Sequence, residues 1–328
     1  MKIKKITITN FRGIDSLSLD FIHPAGKPLD LVVLAGPNGC GKTSVLEACL
    51  FACQKQDLPL GKRQHSKSNV RIGNDKFEIV TTFYEEEGKQ FEERKERLVG
   101  SWENNGLRLS YPEIISRPHD FPVEYFSSWR YPVLPGNIPV VFSPMLPTTP
   151  EYRLRQIKQY LINLTARKPF ELKKQGISDK KAVNSADPFI KINRGWEIFY
   201  PERHQEFLAE PASEVVEEGF DIFLTNESGQ KLPVDSLSSG EIEVFTMLGW
   251  FAIQDFSDGI ILIDEPELHL HSAWHRAIMR ALRTVLPATQ IICATHSPEI
   301  IDSVYSYERF TLLPENDPRI RLVKSFKS

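Results

Sequence analysis

Apolar and polar residues alternate from Lys2 to Phe21, with Ile3, Ile6 and Ile8, then Ile14, Leu17, Leu19 and Phe21, lying either side of Asn10-Phe11-Arg12-Gly13. A near-twofold period predicts a two-strand hairpin turning at Arg12-Gly13. Leu29 to Ala35 is an almost unbroken apolar run, and a helical pattern occupies Ser44 to Cys53. Lys76 to Tyr84 and Phe91 to Leu98 read as strands around the polar turn Glu85–Gly88, so an antiparallel layer is expected beside the sheet that carries residues 29–35. Val123 to Ser128 is a further short strand. The proline-rich run from Pro132 to Pro150 holds no helix-compatible window and marks entry to a separate lobe. From Glu151 to Lys168, Leu154, Ile157, Leu161 and Leu164 recur at three and four, which predicts one amphipathic helix. Glu171 to Glu218 is polar, without a sustained period.

The last third is more regular. Gly219 to Thr225 predicts a strand, Asn226–Gly229 a turn, and Leu237–Glu241 opens an apolar helix to about Gln254. Gly259–Ile263 and Gln290–Ala294 are continuous apolar strands of the kind that parallel sheets bury on both faces. Between them, Ser272 to Leu286 sets Trp274, Ile278, Ala281, Leu282 and Val285 on one face, which predicts a surface helix covering that sheet. Strand and helix alternate here, so the expected class is α/β with a mixed or parallel central sheet, an antiparallel β layer and a helical lobe. The expected division is 1–131, 132–218 as an inserted lobe, and 219–328.

Composition narrows this picture only a little. With 328 residues, 41% hydrophobic and 25% charged, the chain is long enough for one large domain or two modest ones. A formal net charge of −3 gives no global pull toward nucleic acid, so any such binding needs a local patch. Lys62 to Arg71 is basic, although a solvated loop is the reading its composition favours. Cys40, Cys49, Cys53 and Cys293 lack paired C-x-x-C spacing and read as reduced core thiols. No apolar run approaches the length of a membrane span and the N-terminus leads into a strand, so no membrane partner and a cytoplasmic location are expected.

The chemistry is concentrated at strand ends. Gly36-Pro37-Asn38-Gly39-Cys40-Gly41-Lys42-Thr43 fits the G-x-x-x-x-G-K-[ST] phosphate loop at every specified position, between a strand and a helix. Its glycines let backbone N–H groups curl round an anion, with Ser44 continuing into the helix. Lys42 is placed to reach the β- and γ-phosphates, and the Thr43 hydroxyl to ligate Mg²⁺. Asp264-Glu265 closes the strand Ile260–Ile263. In a phosphate-loop enzyme, Asp264 holds the metal and Glu265 orients and deprotonates the attacking water. His296, in Thr295-His296-Ser297-Pro298, ends the next strand and brings an imidazole to the same sheet edge as a γ-phosphate contact. His271 and His275 stand i, i+4 without the acid set of a zinc site. Ser238 to Glu241 fits an S-x-x-E capping box, and a capped helix start can also serve as an anion site.

In that order, Walker A at 36–43, the signature-like Leu237-Ser238-Ser239-Gly240-Glu241, Walker B at 260–265 and the switch His296 resemble an ABC-type P-loop ATPase. Ile8-Thr9-Asn10-Phe11-Arg12-Gly13, Asp264-Glu265-Pro266-Glu267-Leu268-His269-Leu270-His271 and Ala294–Glu299 resemble the RecF/SMC/OLD branch. The likeness is strong over about 1–60 and 215–310. It implies an ATP sandwich of two heads, with Ser238 and Gly240 of one chain facing the γ-phosphate held by Lys42 of the other. It also implies that Pro37, Asn38, Gly39, Cys40 and Gly41 line the nucleotide, that Arg12 approaches its phosphates, and that Leu268–Ser272 takes the D-loop role. Ser239, Glu241 and Ser272 depart from common family residues. No Q-loop glutamine can be placed; Ser127–Arg130 follows the strand expected to precede it.

The leading expectation is an Mg²⁺-dependent ATPase, dimeric or of higher order, acting as a switch in DNA maintenance or anti-phage defence. Long sustained heptads for coiled-coil arms are lacking, and the chain ends soon after the switch strand, so a separate effector protein, a nuclease or a toxin, is expected. Compact ATPases of this look occur in Septu, retron and PARIS defence operons. The alternatives are a DNA-binding repair module using Arg153, Arg155, Lys158, Arg167, Lys168, Lys173 and Lys174, and a transporter ATPase subunit.

Overall fold

In the computed structural model the alternating N-terminal segment forms β1 (Lys2–Phe11) and β2 (Ile14–Asp20). The structure describes residues 1–55, 67–87, 90–104, 106–111, 121–128, 134–136, 152–175, 187–212, 219–254, 256 and 258–313. The chain divides into two units, one built from Met1–Ser128, Phe256–Pro266 and Ala288–Ser328, the other from Trp129–Asp255 and Glu267–Pro287.

The first unit holds two sheets. β1 and β2 join β4 (Lys76–Glu87), β5 (Gln90–Glu103) and β6 (Gly106–Ser110) in an antiparallel sheet of order β2-β1-β4-β5-β6. A register shift between Ile3 and Lys5 explains why Ile3 and Ile6, three apart, are both fully buried: the extra residue restores the inward face. The second sheet has the order β13 (Arg309–Thr311), β3 (Leu31–Ala35), β12 (Gln290–Thr295), β11 (Ile260–Asp264) and β7 (Val123–Phe126), every pair parallel. Its inner strands are buried at every position, the reason their sequences are continuous apolar runs. Helix α1 (Lys42–Ala52) touches β11 and β12 of this sheet and β1, β4 and β5 of the other, and its apolar residues accordingly run all round it. Phe11, Phe51 and Phe77 meet edge to face around it, with centroids 4.9 to 6.0 Å apart. Gln290, fully buried, satisfies its amide on the Ile3 backbone and on Leu29 O, tying the start of β12 to both sheets.

Strand register sets the layout of the sheet's edge. Thr295 lies beside Ala35, Ala294 beside Asp264, and Ile263 beside Phe126. The segments after β3, β12, β11 and β7 therefore leave from one carboxyl edge, where open α/β sheets hold ligands.

The second unit contains α2 (Arg153–Gln175), α3 (Pro188–Glu197), the antiparallel sheet β10-β9-β8 (Lys231–Pro233, Phe220–Thr225, Glu206–Pro211), α4 (Ser239–Ile253) and α5 (Ser272–Val285). The apolar α4 is its core and packs against α2, α3 and α5. Two sequence expectations change here. Helix α5, expected to cover the parallel sheet, belongs to the second unit and packs its apolar face against α3 and α4. The α2 residues offered as a DNA-binding set do not share one exposed face. Arg153 is buried with its guanidinium over Trp250, and Lys158 is fully buried among Asp221, Asp235 and Gly136 O at 2.6, 3.0 and 2.7 Å. Arg155 and Arg167 are exposed; the side chains of Lys168, Lys173 and Lys174 lie outside the described residues, as do 137–150 and 62–66.

Candidate functional site

Residues 36–43 turn tightly from β3 into α1. Gly36, Gly39 and Gly41 all adopt positive φ, with Gly41 at 95° as the N-cap of α1. That backbone leaves α1 without a side-chain cap and without an acid in its first turn, whereas α3, α4 and α5 are capped by Asp187, Ser238 and His271. The first-turn N–H donors and the positive end of α1 are thus left to an anion. Pro37, Asn38 and Gly39 are exposed at the crown, and Cys40, Gly41, Thr43 and Ser44 are partly buried. Lys42 is 8% exposed, and its Nζ donates to Gly36 O at 2.8 Å and Pro37 O at 3.0 Å. A buried ammonium held at the mouth of an uncapped helix suits a polyphosphate.

Asp264, 3% exposed, ends β11. The Thr43 hydroxyl donates to its two oxygens at 3.2 and 3.0 Å, and the Ser128 hydroxyl lies 3.3 Å from Oδ2. Two hydroxyls and one carboxylate converging in this way form an all-oxygen donor set that fits Mg²⁺. No sequence motif singles out Ser128. The available signal is positional: it stands two residues past β7, whose pairing with β11 carries it to the same edge.

Glu265 comes next in the chain and lies in the left-handed region, φ 52°, with its N–H on Ala294 O at 2.8 Å. A non-glycine residue held there costs about 1–3 kcal/mol and persists only where surrounding bonds impose it. His296, just past β12, is half exposed, its Nδ1 3.9 Å from Glu265 Oε1. Acid and imidazole are therefore neighbours on the edge, with a gap too long for a direct hydrogen bond.

Arg12, also at positive φ (52°), is held through its guanidinium by buried Glu47 of α1 and by Asn69 Oδ1 at 3.1 Å. Farther down α1, burial pushes the Cys49 thiol up to about 12 and Cys53 well above its ordinary value. Those two thiols are core residues.

In the second unit, Ser238 caps α4 and forms the full capping box with Glu241. A Cβ on Gly240 would come within 2.8 Å of His269 O and 3.2 Å of the Trp274 ring, so glycine is required for the 268–272 segment to approach the start of α4. His269 itself sits at φ 65°. His271 Nδ1 accepts from Ala273 N, and His275 Nε2 lies 3.3 Å from Leu270 O.

A loop-bearing strand and an acid-bearing strand flanking a histidine strand, backed by α1 and an antiparallel sheet, belong to the ABC-type class of P-loop ATPases. The chain belongs to the family described as "AAA domain, putative AbiEii toxin, Type IV TA system", which it matches over residues 31–302. It is similar to the Septu protein PtuA of Bacillus thuringiensis, 25% identical over 96% of this chain and 76% of that protein. It is also similar to the Septu protein PtuA of Bacillus mycoides (strain KBAB4), 24% identical over 97% of this chain but only 41% of that protein's length. A short stretch of 65 residues is 42% identical to the "Retron Vc95 probable ATPase" of Vibrio cholerae, covering 20% of this chain and 12% of that one. Among solved structures, an Smc head bound to the C-winged helix domain of ScpA matches with a TM-score of 0.56 at 15% identity, over 92% of this chain and 91% of that one. The Smc head derived from Pyrococcus furiosus gives 0.57 at 13% identity over 99% of each chain, a likeness of fold.

Proposed function

We propose that this chain binds ATP with Mg²⁺ and hydrolyses it, and that two copies close around the nucleotide to switch a separate effector protein in defence against phage. The observation that carries the reading is the convergence of Thr43 and Ser128 on Asp264 beside the uncapped, Lys42-bearing start of α1. There the loop N–H groups and Lys42 bind the β- and γ-phosphates, Lys42 exchanging its bonds to Gly36 O and Pro37 O for phosphate oxygens. Thr43, Ser128 and Asp264 hold Mg²⁺, which when bound neutralises phosphate charge. Arg12, oriented by Glu47 and Asn69, adds a second cation on the nucleotide side. Glu265 takes the proton of the attacking water, and His296 orients the same reacting region. Ser238 and Gly240 at the start of α4 face the phosphate held by a second copy.

The sequence likeness to Septu and retron proteins supports the defence setting. The burial of Arg153 and Lys158 weighs against α2 as a DNA-binding face. The test is a plaque assay with the chain expressed beside its neighbouring genes. Wild type protects, whereas Lys42→Ala and Glu265→Gln expressed at equal level do not; protection unchanged by both substitutions would sink the reading.

A further inference from the structure

Tyr200 lies in the turn after α3, far in sequence from any nucleotide motif, yet its hydroxyl donates to Glu241 Oε1 at 2.8 Å. The other carboxylate oxygen, Oε2, accepts the Ser238 N–H at 2.9 Å and the Ser238 hydroxyl at 2.7 Å. An S-x-x-E capping box is complete without a third residue. Here the carboxylate is held from both ends, and the Ser238 hydroxyl proton is directed by it. The tyrosine is itself immobilised: its ring packs against Trp196 and Trp274 at 5.0 and 5.3 Å, and Arg203 stacks over it at 4.6 Å. Trp274 also borders Gly240, so one aromatic cluster meets two residues of the 237–241 segment. Burial, the bond to Glu241 and its charge push the Tyr200 hydroxyl's pKa up, so it remains a donor at physiological pH.

We propose that Tyr200 is a positioning residue for Ser238: by anchoring the Glu241 carboxylate against the aromatic cluster it sets the direction of the Ser238 amide and hydroxyl. The inference rests on the proposed function, in which Ser238 meets a phosphate. A carboxylate one hydrogen bond away from an incoming phosphate repels it, and a fixed donor behind that carboxylate both shares its charge and keeps it turned back toward α3. Both Ser238 donors lie on Glu241 Oε2 here, and they exchange it for phosphate oxygens while Tyr200 keeps the carboxylate from following toward the anion.

The test uses the full chain with Tyr200→Phe, Glu241→Gln and the double substitution. Tyr200→Phe keeps the ring and removes one hydrogen bond to a charged group, an interaction whose loss corresponds to about tenfold or more in local opening. Amide hydrogen exchange at Ser238 is expected to rise about tenfold in Tyr200→Phe, with exchange at Thr43 and Ser44 unchanged. ATP turnover falls by a similar factor with the nucleotide KM unaltered. In the Glu241→Gln background, where there is no charge to hold back, adding Tyr200→Phe costs little turnover, the non-additivity that coupled residues show. A merely structural tyrosine would lower the unfolding midpoint and reduce turnover equally in both backgrounds, and that result overturns the proposal, as does unchanged exchange at Ser238. Faster exchange at Ser238 with unchanged turnover leaves Tyr200 as its anchor and removes instead the assignment of Ser238 to a phosphate.

Discussion

Lys42 joins burial to a charge that its own loop already solvates, through Gly36 O and Pro37 O. Removing it leaves those carbonyls to water and deprives the cradle of its cation, so Lys42→Ala is expected to lower ATP affinity at least 100-fold, about 3 kcal/mol, by equilibrium titration with a fluorescent analogue. Glu265→Gln keeps the size and the left-handed backbone but cannot accept a proton; turnover is expected to fall at least 100-fold with ATP binding retained. Glu241 carries a pH dependence. Burial pushes its carboxyl up, but the two Ser238 donors, Tyr200 and the charge of Arg203 together hold it below its ordinary value of 4.5. A lowered folded value contributes stability that is full above the unfolded value and fades as pH falls through the folded one. The stability difference between wild type and Glu241→Gln, read by urea unfolding, is therefore expected to be constant above pH about 4.5 and to shrink below it. The residues at 36–43, 264, 265 and 296 stand out in the sequence because the proposed chemistry asks for a particular residue type at each strand end. Ser128 is marked in the sequence only as part of the segment Ser127–Arg130, and Tyr200 not at all, since a lone serine or tyrosine shows its partner only once tertiary contact has brought it there.

Elements differ in how openly they declare themselves. The strands of the parallel sheet are buried on both faces, and their unbroken apolar runs are unambiguous. Strands β6, β8 and β13 are short and partly exposed, and nothing in their periodicity separates them from loop. Helix α2 shows a second limit. Its 3.6-residue period is clear, yet Lys158, offered by the sequence as a DNA contact, is fully buried and paired with Asp221 and Asp235. The turn at Val234–Ser236 that carries Asp235 leads directly into Ser238, so this network fixes the approach to α4. Lys158→Met leaves the buried Asp221 and the partly buried Asp235 without their cation and is expected to cost about 3–5 kcal/mol in denaturant unfolding. Adding Asp221→Asn and Asp235→Asn is expected to restore most of that loss, because a neutral cluster no longer requires a cation.

At the scale of the whole molecule, the first unit is assembled from three stretches of chain and the second from two. β11 pairs with β12 and β7, and β12 with β3, so the edge carrying Lys42, Asp264, Glu265 and His296 exists only after distant segments have met. On the proposed reading, Glu265→Gln accumulates a two-copy, ATP-bound state, so sedimentation with Mg²⁺ and ATP is expected to show mass doubling that is absent in Lys42→Ala. The α/β class, the glycine-rich loop between strand and helix, and the acidic pair and histidine at strand ends are all visible in the local pattern, because burial on both faces and motif spacing each constrain residue type. Long-range packing alone sets α5 against α3 and α4, places Lys158 inside, and brings Ser128 and Tyr200 to Asp264 and Glu241. These are partnerships between residues far apart in the chain, and a side chain's burial or hydrogen-bond partner is a property of the packed whole that no local period encodes.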